Sequence, residues 1–165
     1  MRFLFMQTSF TGTKKLTFSA MMAAAYIAVM FLTQGFAFGQ YQVRIATALY
    51  ALSYVFPFLA VPLALANSMS NVIGGLGILD IVGGLIVGLV VGGAVVAIRK
   101  LRLPPWCVCF PIVLGPGLVV PLWLTRITGA PYWTLVASIS IGQLTPAVVG
   151  CILIYALSKR KVDTP

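Results

Sequence analysis

Between Arg44 and Arg99 the chain carries a single charged residue, Asp80. No other feature constrains the fold as much. Water-soluble domains carry roughly 25% charged residues and do not leave so long a stretch bare. Across all 165 residues the charged fraction is 8%, against 61% hydrophobic. An integral membrane protein is predicted, and several runs approach the roughly 20 apolar residues a helix needs to cross a bilayer. Lipid offers backbone N–H and C=O groups no partner, so spanning segments are helices or a closed barrel. These runs are continuous rather than alternating, which predicts an all-α membrane fold.

The net charge of +9 invites comparison with nucleic-acid binders, but its placement argues otherwise. Arg2, Lys14 and Lys15, then Arg99, Lys100 and Arg102, then Lys159, Arg160 and Lys161 stand at the ends of apolar runs. That is the pattern of positive-inside anchoring. Arg44 and Arg126 stand alone in the complementary gaps. Cys107, Cys109 and Cys151 lie in or beside apolar runs with no His and few acids nearby in sequence, so they read as small membrane residues rather than metal ligands.

Residues 1–13 are expected to form a cytoplasmic tail on the membrane surface, since no small-residue cleavage pattern separates them from the first span. Residues 14–158 form the membrane domain, and 159–165 a second cytoplasmic tail. The first helix is expected over 14–34. If it leaves the cytoplasm, Arg44 is outside and the Arg99–Arg102 cluster inside, so an odd number of crossings separates them. The length suits three, at about 44–58, 60–74 and 78–98, with Pro57, Pro62 and the Gly74–Gly77 run marking the turns. Further helices over 105–124 and 132–158 complete six transmembrane helices with both termini cytoplasmic. Nine of the eleven basic residues then share one side.

Polar side chains are costly inside a membrane and usually face a partner or a cavity. The candidates are Arg44, Asn67, Asn71, Asp80, Arg126 and Gln143. Asp80 is placed equally well as a helix cap or a ligand group, Asn71 has a capping role open to it, and Arg126 reads as an interfacial anchor. Gln143, with Ser140 before it and Thr145 and Pro146 after it, borders either a cavity or a neighbouring helix. Ala20, Ala24 and Ala28 share one face of the first helix, where small residues let a second helix approach, inside this protein or from another. No catalytic constellation is present: the chain has no His, no Glu and two Asp, Asp80 and Asp163. It lacks a phosphate-binding P-loop, and Gly83-Gly84 and Gly92-Gly93 read as packing positions. A non-enzymatic binding or transport role is left, without cofactor or metal.

Two stretches carry a further signal: Gln42-Val43-Arg44-Ile45-Ala46-Thr47-Ala48-Leu49, and the block from Asn71 to Ile81. Together with Ser140-Ile141-Gly142-Gln143-Leu144 they resemble the queuosine-precursor transporter (QueT) family. The likeness runs from the first helix to Tyr155, is most specific in the Asn71–Ile81 block and is weak in the fifth helix. Members are substrate-binding S components of energy-coupling factor (ECF) transporters, multi-pass proteins of prokaryotic cell membranes. The resemblance implies that Ala20, Ala24 and Ala28 contact a membrane scaffold (T) subunit coupled to two ATPase subunits. It implies a lid in the loop Gly39–Arg44, including Gln40 and Tyr41. It also implies a pocket lined by Gln42, Arg44, Thr47, Asn71, Asp80 and Gln143, for a 7-deazaguanine or queuine-like base. Tyr41, Tyr50 and Trp133 are candidates to stack on a planar ring. Thr47 and Gln143 depart from the family, which commonly carries Glu at both, and the exact substrate stays open. The alternatives are an S component for another vitamin-like substrate and a non-transport membrane scaffold or assembly subunit.

Overall fold

The computed structural model describes residues 11–160, with side chains as far as Leu157. The expected tails, up to residue 10 and beyond 160, lie outside the described residues. Among the described residues every regular element is a helix: α1 (Gly12–Leu32), a single turn α2 (Gln34–Ala37), a 3-10 segment (Ile45–Ala51) running into α3 (Leu52–Val55), and a 3-10 turn (Pro57–Leu59) running into α4 (Ala60–Gly74). There follow α5 (Ile78–Lys100), a 3-10 turn (Pro105–Val108), α6 (Cys109–Val119), α7 (Pro121–Thr128) and α8 (Tyr132–Arg160). Five of these stretches are long and apolar enough to cross a membrane: Gly12–Leu32, Pro57–Gly74, Ile78–Lys100, Pro105–Thr128 and Tyr132–Leu157.

The second expected crossing, 44–58, is where structure and expectation differ. It is an apolar helix of eleven residues, Ile45–Val55, and its first seven are wound as 3-10. Seven residues at about 2.0 Å and four at about 1.5 Å reach roughly 20 Å, short of a hydrocarbon core of about 30 Å. Its residues are small or buried, with Ala46, Thr47, Ala48, Tyr50 and Ala51 all inside the bundle. The fifth helix also departs from expectation. Val120 links α6 to α7, whose first residue, Pro121, has no N–H to give, and the helical path continues to Thr128 rather than stopping at Leu124.

Packing is tightest between α4 and α5. Gly84, Gly88 and Gly92 recur at four-residue spacing along α5, and side chains built on them would meet Asn71, Ala64 and Ala60 of α4. With hydrogen in place of a side chain the two backbones approach closely, the membrane small-xxx-small arrangement. The turn between them, Gly74–Gly77, is as expected: Gly75 and Gly77 take φ of 66° and 89°, a region open to glycine at little cost.

The helix ends sort into two groups. At one end the Lys15 ammonium lies over the Phe58 ring, Arg99 donates to the Val55 carbonyl at 2.6 Å, and the Tyr54 hydroxyl donates to the Leu103 carbonyl at 3.0 Å. Arg99 thus caps the C-terminal carbonyls of the short α3, where a cation is favoured. At the other end, Phe38 packs on Gly74, the Trp123 indole donates to Asp80, and the Ser138 hydroxyl donates to the Gln40 carbonyl.

The α4–α5 contact yields a sharp prediction. A Cβ at Gly88 would stand 2.6 Å from the Ala64 Cα, a backbone atom that cannot step aside, whereas one at Gly93 would meet nothing within 4 Å. Gly88→Ala is expected to lower stability in detergent by about 1–3 kcal/mol. Gly93→Ala is expected to be neutral or slightly stabilising, because it removes a flexible residue from a helix. Denaturant titration of the two variants side by side checks both.

Candidate functional site

The polar interior begins with two asparagines one turn apart on α4. Asn67 donates through Nδ2 to the Gly84 carbonyl at 2.8 Å, and Asn71 to the Asp80 carbonyl at 2.7 Å. With both amino groups committed to α5, both Oδ1 atoms are left to accept. Arg44 meets them: its Nη1 lies 3.0 Å from Asn71 Oδ1 and 3.4 Å from Asn67 Oδ1. The Tyr26 hydroxyl of α1 also donates to Asn67 Oδ1, at 2.9 Å. Four separate segments are joined at this point.

Arg44 is 4% exposed, and its Nε and Nη2 have no hydrogen-bond partner. One face of the guanidinium lies over the Phe38 ring, 5.1 Å from its centroid. Nε and Nη2 form the edge that gives two parallel hydrogen bonds to a planar acceptor. An unsatisfied buried donor costs about 1–3 kcal/mol, more when charged, so a site that keeps two of them calls for an explanation.

Asp80, 0% exposed, is the acidic residue of this end. It is not the cap of α5: Gly77 holds that position, without a side-chain bond. Its Oδ1 instead accepts the Trp123 indole N–H at 3.0 Å, and its Oδ2 has no partner. The first turn of α5 favours a negative charge there. Asn71 separates it from Arg44, bonded to the backbone of one and the side chain of the other.

A second network fastens the loop before Arg44 to α8. Gln143, 0% exposed, accepts through Oε1 from the Thr47 hydroxyl at 2.8 Å and donates through Nε2 to the Gln42 carbonyl at 2.9 Å. Thr47 Oγ1 lies 2.7 Å from the Arg44 carbonyl as well, so one proton serves two acceptors. Gln42 takes a φ of 44°, which L-residues other than glycine seldom adopt.

Gln42, Arg44, Thr47, Asn71, Asp80 and Gln143 are therefore buried in two bonded networks that meet at Arg44. Gln40 and Tyr41 are exposed on the loop. The proposed stacking trio does not assemble: Tyr50 is buried edge-on against Tyr26, while Tyr41 and Trp133 face outward at 53% and 74% exposure. The aromatic groups at the site are Phe38 and Trp123. Neither is distinguishable in sequence from the other aromatics of apolar runs, and only the fold brings them in. Ala20, Ala24 and Ala28 are all exposed, on the side of α1 away from Tyr26 and Met30, so they do not pack within this chain. Arg126 is exposed in the last turn of α7.

Apolar helices long enough to span and a buried polar cluster at one end define a polytopic membrane protein with a polar interior, a class that includes transporters. The model of the QueT transporter family matches residues 16–159, and the chain belongs to that family. It is a membrane transporter with a small-molecule substrate. No curated protein and no solved structure matches it.

Asn71 holds the cluster together, and its replacement is measurable. Asn71→Leu preserves bulk but leaves Arg44 Nη1 with only the long bond to Asn67 and the Asp80 carbonyl without its side-chain donor. Losing both bonds is expected to cost on the order of 3 kcal/mol. Ser68→Ala, which removes a half-buried bond to the Ile81 carbonyl, is expected to cost about 1 kcal/mol at most. Unfolding titrations of the purified variants compare them.

Proposed function

We propose that this protein is the substrate-binding S component of an ECF-type importer. It captures a small planar molecule, with a queuosine precursor as the leading substrate, from outside the cell. The observation that carries this reading is the buried Arg44 edge: two parallel donors, enclosed and without a partner, in a member of the QueT transporter family. A 7-deazaguanine fits the two open ends of the network. Its ring carbonyl accepts from the Arg44 edge, and its ring N–H or amino group donates to Asp80 Oδ2. Asn71 lies between them, bonded to both residues, while Gln42, Thr47 and Gln143 back the Arg44 segment on the α8 side.

In this reading the basic clusters lie inside and the Arg44 end outside. Ile45–Val55 counts as a shortened sixth crossing, and both termini are cytoplasmic. Substrate enters under the Gly39–Arg44 loop, with Gln40 and Tyr41 on its outer surface. The exposed face of Ala20, Ala24 and Ala28 docks on the scaffold (T) subunit. The two ATPase subunits hydrolyse ATP, and the whole S component turns in the membrane to release the substrate inward.

Titration calorimetry with queuine, its 7-deazaguanine precursors and a panel of vitamins tests the substrate. Arg44→Ala is expected to weaken binding of the true ligand at least about 100-fold, or about 2.7 kcal/mol. The variant should remain folded, because the cost of leaving Asn71 Oδ1 without its donor is offset by removal of a buried charge that lacks a counter-ion. Unchanged affinity would take Arg44 out of the site. Co-purification tests the assembly: the wild type should bring down a scaffold and two ATPases, and Ala24→Trp should release them. A vitamin hit without a 7-deazaguanine hit keeps the importer and changes the substrate. Loss of both ligand and ATPases favours a membrane scaffold or assembly subunit.

A further inference from the structure

We propose that Gln143 is a positioning residue, the latch that holds the Gly39–Arg44 loop on α8 and sets Arg44, and does not itself contact substrate. The proposal rests on the reading of that loop as the lid of the site. Both ends of the Gln143 carboxamide are bonded within the protein, one to the Gln42 carbonyl and the other to the Thr47 hydroxyl. Thr47 in turn reaches the Arg44 carbonyl. The backbone carbonyls gripped in this way, those of Gln42 and Arg44, bracket the stretch that ends in the guanidinium-bearing residue. Closing the latch and aiming Arg44 are one event.

Three further observations converge on α8. At Gly142, beside the latch, the Tyr41 carbonyl approaches so closely that a Cβ would find no room. Five residues before Gln143, the Ser138 hydroxyl donates to the Gln40 carbonyl at 2.6 Å. Gln42 holds a left-handed backbone that its own side chain disfavours, so its geometry depends on what grips its carbonyl. Within itself the loop is tied by Gln42 N–H to Gly39 O at 3.0 Å and Val43 N–H to Phe36 O at 3.2 Å. It is therefore a compact flap, fastened to α8 by side chains. Those bonds can pass to water when the flap lifts, whereas the asparagine bonds beneath it join two packed helices.

Hydrogen exchange of the full-length, ligand-free protein in nanodiscs tests the latch without reference to any substrate. Gln143→Leu is expected to speed exchange of the 39–44 amides at least about tenfold while the α4–α5 amides keep their protection. Thr47→Val, which keeps the shape but removes the shared proton, is expected to speed the same amides. Unchanged loop exchange in Thr47→Val overturns the proposal even if Gln143→Leu fails to fold, and unchanged exchange in both overturns it outright. For any ligand found by calorimetry, Gln143→Leu should raise the dissociation rate of every analogue by the same factor and leave their ranking intact. A change of ranking among analogues that differ in one hydrogen-bonding group places Gln143 against the substrate and overturns the latch. If no ligand binds at all, the substrate reading fails while the exchange result still decides the latch.

Discussion

One cation buried without a counter-ion governs the architecture of this protein. The one carboxylate of its neighbourhood, Asp80, is bonded to Trp123 instead. What holds the guanidinium is neutral: two carboxamide oxygens whose amino groups are anchored on α5 carbonyls. Those anchors exist only because α4 and α5 approach closely enough for Asn67 and Asn71 to reach the α5 backbone. The approach in turn exists because Gly84, Gly88 and Gly92 present no side chains to α4. A packing device in the apolar half of the helix pair therefore determines the electrostatics at its polar end.

The short second segment completes the arrangement. Its Val55 end is pinned by Arg99 on the Val55 carbonyl, so its length of roughly 20 Å is measured from there. It ends about 10 Å short of a full hydrocarbon core, and Arg44 stands at that end. The backbone of residues 38–44 that leads to that end is irregular. Such backbone is tolerated at membrane depth only where protein covers it. Here α8 supplies the cover, by Gly142 against Tyr41 and Gly150 against Ala48 and Ala51.

How much of this was legible in the sequence follows from which signals are local. Apolar runs, glycine turns and basic clusters are local, so the helix positions came close: 60–74 matches α4 to the residue. The 3-10 winding of Ile45–Ala51 was not legible, because it answers to the neighbours that bury it rather than to its own side chains. The polar residues Arg44, Asn71, Asp80 and Gln143 stood out against an apolar background, but their pairing did not. Asn71 had a capping role open to it and bridges two charged residues instead; Gln143 stood open between a cavity and a neighbouring helix, and is bonded at both ends within the protein. Phe38 and Trp123 carried no signal at all, since an aromatic in an apolar run acquires a role only from what the fold sets against it.

The absence of carboxylates at positions 47 and 143 has an electrostatic consequence. An anion at either place would stand beside the Arg44 backbone and compete for the guanidinium, in a low-dielectric interior where such attraction is strong. Thr47 and Gln143 are neutral and satisfy one another, so the Arg44 field is left unquenched along its Nε and Nη2 edge. Asp80 balances the charge at a distance, beyond Asn71, without neutralising it locally. On the proposed reading, a ligand with an acceptor at Arg44 Nε and Nη2 and a donor at Asp80 Oδ2 would pair the open atoms of both residues at once.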